Sequence, residues 1–230
     1  MALKDEATVL IDLHTHTYPK SDDSFVSADE LVDSARAAGL DGVCITEHDD
    51  FWTPDATAEL TRRHGILVLP GAEINTDAGH VLVFGLHRYR FGMHKPTFLR
   101  AEADSLGAVL VAAHPYRRRF LADPGSDPDV RAEMLQRAVS DPMLRLFDAV
   151  ESRNGRGTDV ENCFAEDLRR CLARPGTGGS DTHYGHQMGT AATLFQRRVT
   201  SLDDLIAELK AGRMRPVDLT TARQPVPSAC

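Results

Sequence analysis

His14 and His16 close the apolar run V-L-I-D-L-H-T-H-T and present two imidazoles at i, i+2 spacing. On a strand, residues two apart project from one face. Two neutral imidazoles on one face can hold a borderline metal ion. Alone, the pair reads equally well as two hydrogen-bonded surface histidines. Its recurrence changes that reading. Later apolar runs also end in ligand-type residues: His48, Glu73, His80, His114, Glu151, and the i, i+2 pair Asp181 and His183. The glycines of G-T-G-G-S-D-T-H let backbones approach closely, as a metal cage requires. Glu73 lies among small and apolar residues in G-A-E-I-N. Burial there demands a partner, either a pair of bridged metal ions or an arginine.

Two further sets of residues have chemical potential. In the S-D-D loop after the first strand, Asp22 and Asp23 are close enough to fold back over the His pair, and Asp22 is the expected ligand. Arg117 opens a short basic run, Arg117 to Arg119, directly after His114-Pro115-Tyr116, and is the expected phosphate donor. Glu151 and Asn154 are expected to line the pocket. Glu47 and Asp50 are expected in a salt-bridged surface turn.

The elements that position these residues follow from periodicity. Short β-branched runs alternate with amphipathic stretches about seven times, which argues for a barrel with its site on the C-terminal rim of the strands. Ser27 with Glu30 reads as a capping box opening a helix over 28–38, which Gly39 ends. Pro54 and Gly65 bracket a second helix, Pro96 and Gly107 a third. Further helices are expected over 159–173 and 202–210, and a strand over 190–195. Residues 79–85 read as a hairpin-like return, and residues 121–141 as the one long insertion. The expected organisation is a single domain over 1–212 with a mobile tail over 213–230.

Bulk composition narrows the function. The 230-residue chain carries 26 Lys+Arg against 34 Asp+Glu, a formal charge of -8. An acidic balance disfavours broad duplex binding, which needs a basic face. The four cysteines form no C-x-x-C pair, so free thiols are expected. No run approaches membrane-span length, and the polar first residues do not read as a signal peptide. The expected location is the cytoplasm, with no membrane partner.

Taken in order, I-D-L-H-T-H-T with S-D-D, T-E-H-D, G-A-E-I, G-H-V-L-V-F-G, A-H-P-Y-R and G-S-D-T-H resemble the polymerase-and-histidinol-phosphatase (PHP) family of metal-dependent phosphoesterases. The resemblance runs from residue 9 to about residue 195. It implies an α/β fold, a distorted (β/α)7 barrel with two or three divalent transition-metal ions (Zn, Mn or Fe) at the strand ends. It implies His14, His16 and Asp181 on one ion, with Glu73 bridging to a second. His48, Asp22 and His183 are implied on another, and His114 on the ion beside Glu73. His80 is implied as a remaining family histidine and is the expected proton donor. The expected reaction is hydrolysis of a small phosphorylated metabolite or nucleotide by a metal-activated hydroxide. The alternatives are a nuclease acting on DNA or RNA ends and a non-catalytic metal-binding regulatory module. Asp23 stands where many members have glycine, and Glu47 where many have aspartate.

Overall fold

A computed structural model describes residues 8–118 and 128–222, with side chains to residue 220. Its strands are β1 Val9–Thr15, β2 Gly42–His48, β3 Leu67–Thr76, β4 Gly79–Phe84, β5 Val109–Ala112, β6 Ala149–Asn154, β7 Gly176–Gly179, β8 Ala191–Phe195 and β9 Met214–Asp218. Between them lie helices α1 Ala28–Ala37, α2 Pro54–His64, α3 Pro96–Leu106, α4 Pro128–Ser140, α5 Asp159–Cys171 and α6 Leu202–Ala211. A short turn of helix, Leu219–Ala222, follows β9.

All nine strands belong to one sheet, in the order β7-β6-β5-β4-β3-β2-β1-β8-β9. The sheet curls until β1 meets the segment after β7, through a parallel bridge between Thr15 and Thr182. Thr193 Oγ1 bonds both Gly178 N and Gly178 O at 2.8 Å, which ties β7 to β8 as well. The result is a nearly closed α/β barrel. Three strands depart from a strict strand–helix alternation, because β4, β8 and β9 run antiparallel to their neighbours. For β4 the reason is chain length. Only Asp77 and Ala78 separate it from β3, which is enough for a hairpin and far too short for a crossover helix. The reversal matters for the site, because it brings the start of β4, with His80, to the rim where the parallel strands end.

The tail expected to be mobile is corrected over 214–222. Residues Met214–Asp218 pair with β8 across five positions. Pro216 is tolerated there because β9 pairs on one side only, as an edge strand. Residues 223–230 lie outside the described residues, as do Arg119 and the first part of the expected insertion. The rest of that insertion forms α4.

One apolar cluster draws on nearly every strand, with Ile11, Leu13, Cys44, Leu69, Phe84, Val111, Ala149 and Phe195, and is joined by Leu205 and Leu209 of α6. A second packs α1 and α2 on β1 and β2, and a third packs α3, α4 and α5 on β3 to β6. Among the described residues Cys44, Cys163 and Cys171 are unpaired thiols. No helix among them is long and apolar enough to cross a membrane.

The helix signals act locally as expected. Ser27 and Glu30 close a reciprocal capping box on α1, and Gly65 and Gly107 end α2 and α3 in the left-handed conformation. At the end of α2, His64 meets two carboxylates of α1, Asp29 at 2.6 Å and Asp33 at 3.0 Å. The hydrogen bonds it donates to Asp29 and then Asp33 raise its pKa. A group with a raised folded-state pKa adds stability that is complete below its unfolded value, about 6.5, and fades as pH rises through the folded value. His64→Gln should therefore flatten the dependence of Tm on pH across that window. Both acids are half-exposed, so the shift should not exceed about 2–4 °C, equivalent to about 1 kcal/mol. Thermal melts at stepped pH values check this; a wild-type-like pH slope in the variant would count against it.

Candidate metal centre

The ligand-type residues of the sequence converge on one carboxylate. Glu73, buried on β3, takes His80 Nδ1 at 2.8 Å and His114 Nε2 at 3.0 Å on its Oε1. Its Oε2 faces His48 Nδ1 at 3.2 Å and the Nε2 atoms of His14 and His16 at 3.3 Å each. The partners of the buried glutamate are imidazoles from four strand ends or starts, not the arginine considered as its alternative. Asp181, also buried, lies 3.7 Å from His14, 3.5 Å from His16 and 3.4 Å from His183. The rings crowd together, with His16 and His48 stacked at 4.3 Å between centroids and His16 and His183 tilted at 4.4 Å.

Each strand contributes by its own geometry. β1 delivers His14 and His16 to the same carboxylate oxygen, as period two requires. β2 stays regular to its end, where His48 pairs in register with Glu73 of β3. His114 and Asp181 follow the ends of β5 and β7 with φ of 27° and 56°, and Tyr116 and Arg118 continue the left-handed sequence at 66° and 59°. Such conformations cost about 1–3 kcal/mol each and gather at active sites.

Both acids of the S-D-D loop reach the cleft. Asp22 lines the mouth of the cleft, but the carboxylate that meets the imidazoles belongs to Asp23, at 3.0 Å from His183 and 3.5 Å from His48. A tight turn closed by Ser24 N on Ser21 O brings Asp23 to them.

The surrounding layer fixes these groups. Glu151 accepts from His14 Nδ1 at 3.0 Å, and its other oxygen accepts from His114 N at 2.8 Å and Asn154 Nδ2 at 3.0 Å. The bond to Nδ1 leaves His14 Nε2 as the nitrogen aimed at Glu73. Glu47 is not in a surface turn. It is fully buried and accepts from Thr17 N, Ser21 Oγ and Trp52 Nε1, while Asp50 does form its expected surface pair, with Lys20. Asp12 Oδ1 accepts from Ser180 N at 2.9 Å and His14 N at 3.1 Å, joining β1 to the Asp181 loop. Burial pushes the Asp12 carboxyl up to about 7 despite those bonds. Arg117 pairs with Asp181 and donates to Asn154 Oδ1 at 3.2 Å. Arg156 lies 2.9 Å from His183 Nδ1 and 3.6 Å from Asp181.

Asp12 and Arg156 escape a reading of the sequence. Asp12 had a signal, being an acid inside an apolar run at i−2 from His14. Arg156 had none, since only the fold brings its loop to His183.

The acids and imidazoles of the cluster shift one another: burial would lower the pKa of His14 and His16, but Glu73 and the neighbouring acids outweigh it and raise both. Burial alone would raise the pKa of Glu73. The neighbouring His14 charge, the hydrogen bond from His114 and the close approach of the His14 and His16 imidazoles outweigh it and hold the carboxyl well below its usual range. At Asp181, His14, His16 and Arg117 likewise overcome burial. Burial and the nearby His16 lower the pKa of His48 and His183, which favours the neutral imidazole that ligates metals.

The decisive test of fit is polar satisfaction. His14 Nε2, His16 Nε2 and His48 Nδ1 are buried without a hydrogen-bond partner. Leaving three such nitrogens unsatisfied is costly, and all three face one carboxylate oxygen. Four overlapping triads bring their ligand atoms within 4.8 Å of one another: His14/His16/Glu73, His14/His114/Asp181, His16/His48/His183 and His48/Glu73/His80. The donor set fits divalent transition metals.

The PHP domain model matches residues 12–144, and a PHP-associated model matches residues 160–214. The chain belongs to the PHP family. This PHP domain shares its fold with PsfC from Pseudomonas syringae PB-5123, at 22% identity and a TM-score of 0.61, covering 92% of each chain. A two-domain protein from Bacteroides vulgatus ATCC 8482, containing a predicted PHP-like metal-dependent phosphoesterase, aligns at 20% identity and a TM-score of 0.60, over 95% of this chain and 70% of that one. The lesion-specific endonuclease PfuEndoQ from Pyrococcus furiosus aligns at 15% identity and a TM-score of 0.57, over 91% of this chain and 57% of that one. No match is found among curated proteins. Membership in this family of metal-dependent phosphoesterases makes the chain a hydrolase at the general level.

Because Glu151 orients His14 without reaching the cluster's centre, Glu151→Gln should weaken metal affinity by about 10–100-fold, the usual effect of an outer hydrogen-bond partner. Metal titration of the stripped variant checks this. An unchanged affinity would mean that His14 is oriented by packing alone.

Proposed function

We propose that this protein hydrolyses the phosphate ester of a small metabolite or nucleotide at a centre of two or three divalent transition-metal ions. The observation that carries this reading is the convergence of three unsatisfied buried imidazole nitrogens on Glu73, with two guanidinium groups beside them. A nitrogen-rich donor set suits Zn, Mn or Fe better than Ca or Mg. His14, His16, Glu73 and Asp181 would hold one ion. His80 and His114 with Glu73, and His48 and His183 with Asp23, would hold the others. When bound, the ions supply Lewis acidity toward phosphoryl oxygens and acidify water.

The chain's own residues do the rest. Arg117 is kept charged, because Asp181 offsets the burial that would lower its pKa. Arg117 and Arg156 offer planar donors to phosphate oxygens from the cluster's edge. Asn154 positions Arg117, and Glu151 positions His14 and the His114 backbone. His80 is 35% exposed, and in the alternative in which it stays off the metals that exposure would suit it as proton donor to the leaving oxygen. The acidic balance of the chain favours a small substrate over a polynucleotide.

The test is metal removal. Chelator-stripped protein should lose turnover of small phosphate monoesters and regain it on addition of Mn, Zn or Fe, with little dependence on salt. Absence of hydrolysis with every metal added back would contradict the reading. Cleavage confined to nucleic acid would decide for the nuclease alternative.

A further inference from the structure

Beside the cleft lined by the candidate metal ligands lies a second, more enclosed cavity of about 270 Å³. The two share His80, Arg117 and Arg118 at their junction. Away from that junction the lining adds apolar side chains to His114 and Asp141. Leu144 and Phe147, both buried, belong to the apolar cluster beneath α3, α4 and α5. Tyr116 forms another wall, held by its ring contact with Phe164 at 5.0 Å between centroids. Among the described residues Asp141 supplies the carboxylate of the lining, fixed by accepting from Met143 N at 2.8 Å. Ala78, in the two-residue turn between β3 and β4, borders the same space.

A phosphate held at the junction would have its anionic oxygens among cations and imidazoles. Its organic substituent would then have an apolar recess within reach, with an acceptor in the wall. The recess falls just below the ~300–1,000 Å³ typical of pockets for drug-sized ligands. It admits one small organic group and not a polynucleotide strand. We infer that this cavity binds the alcohol portion of the ester, and that the substrate is the phosphate of a small alcohol with an apolar or aromatic body. The inference rests on the phosphoesterase reading and narrows it, with Tyr116, Leu144 and Phe147 as residues that determine specificity.

The test separates the cavity from the phosphate site by binding rather than turnover. Methylphosphonate and phenylphosphonate carry a P–C bond in place of the ester linkage, and they differ in whether they fill the recess. Calorimetric titration of Mn-reconstituted protein should show phenylphosphonate binding tighter by about tenfold or more, as burial of one ring predicts. Ala78→Trp should fill the recess and lower phenylphosphonate affinity by about tenfold while changing methylphosphonate less than about twofold. Ala78→Leu, a smaller change in the same turn, should give an intermediate loss and guards against misfolding of the larger variant. Equal binding of the two phosphonates, or equal losses in the variants, would overturn the cavity assignment and leave the phosphoesterase reading standing. Failure of both phosphonates to bind would remove both.

Discussion

Glu73→Gln should strip at least one transition-metal ion per chain and lower kcat/KM by about a thousandfold or more, beyond the ~10–100-fold typical of outer-shell changes. The expectation rests on how many groups depend on this one carboxylate. Five imidazole nitrogens lie 2.8 to 3.3 Å from its two oxygens. Glutamine keeps the shape but loses the charge, and its amide presents a donor where the site needs an acceptor. Elemental analysis and steady-state kinetics on the same preparation check both halves. Full metal occupancy with near-normal kinetics would mean that Glu73 is a structural anchor for the histidines.

Gly179→Ala should be a strongly damaging single-methyl change at the site. A Cβ there would lie 2.9 Å from His14 N and from Glu151 Oε1, and would collide with His14 Cβ. Neither neighbour is the free end of a flexible chain, since His14 is fixed by Glu151 and by its own strand. Overpacking of this kind costs about 1–3 kcal/mol, a fall in Tm of about 2–12 °C for a domain of this size. The displacement falls on a metal ligand, so metal affinity should drop with stability. Gly65→Ala is the control. It meets nothing within 4 Å, carries only the cost of its φ of 69°, and should leave metal affinity intact. Equal metal affinity in both variants would show that close approach of β7 to β1 is not needed to shape the site.

What could be read from the sequence was what local periodicity fixes. The i, i+2 pairs His14/His16 and Asp181/His183 were legible because strand geometry alone puts such residues on one side. Glu73 was legible because burial of an acid demands explanation. The capping box at Ser27 and the left-handed glycines at Gly65 and Gly107 act within a single turn of chain, so helix limits followed from them. The features that were not legible depend on distant partners. That Asp23 meets His48 and His183 follows from the turn at Ser21, which itself bonds Glu47 of another strand. Glu47 is buried because Thr17, Ser21 and Trp52 all donate to it, and no pattern around residue 47 announces them. β9 was missed because M-R-P-V-D has little apolar alternation and a proline, which only an edge position permits. Asp12 and Arg156 act through contacts 168 and 27 residues away in the chain.

The central claim is that Glu73 and the histidines around it form a polynuclear cation site. Anomalous X-ray scattering from crystals of the Mn-loaded protein tests it most directly. The account predicts at least two peaks, with Glu73 bridging them and the Nε2 atoms of His14 and His16 turned toward one. Crystals that take up no Mn, with the imidazoles still packed against Glu73, would contradict it.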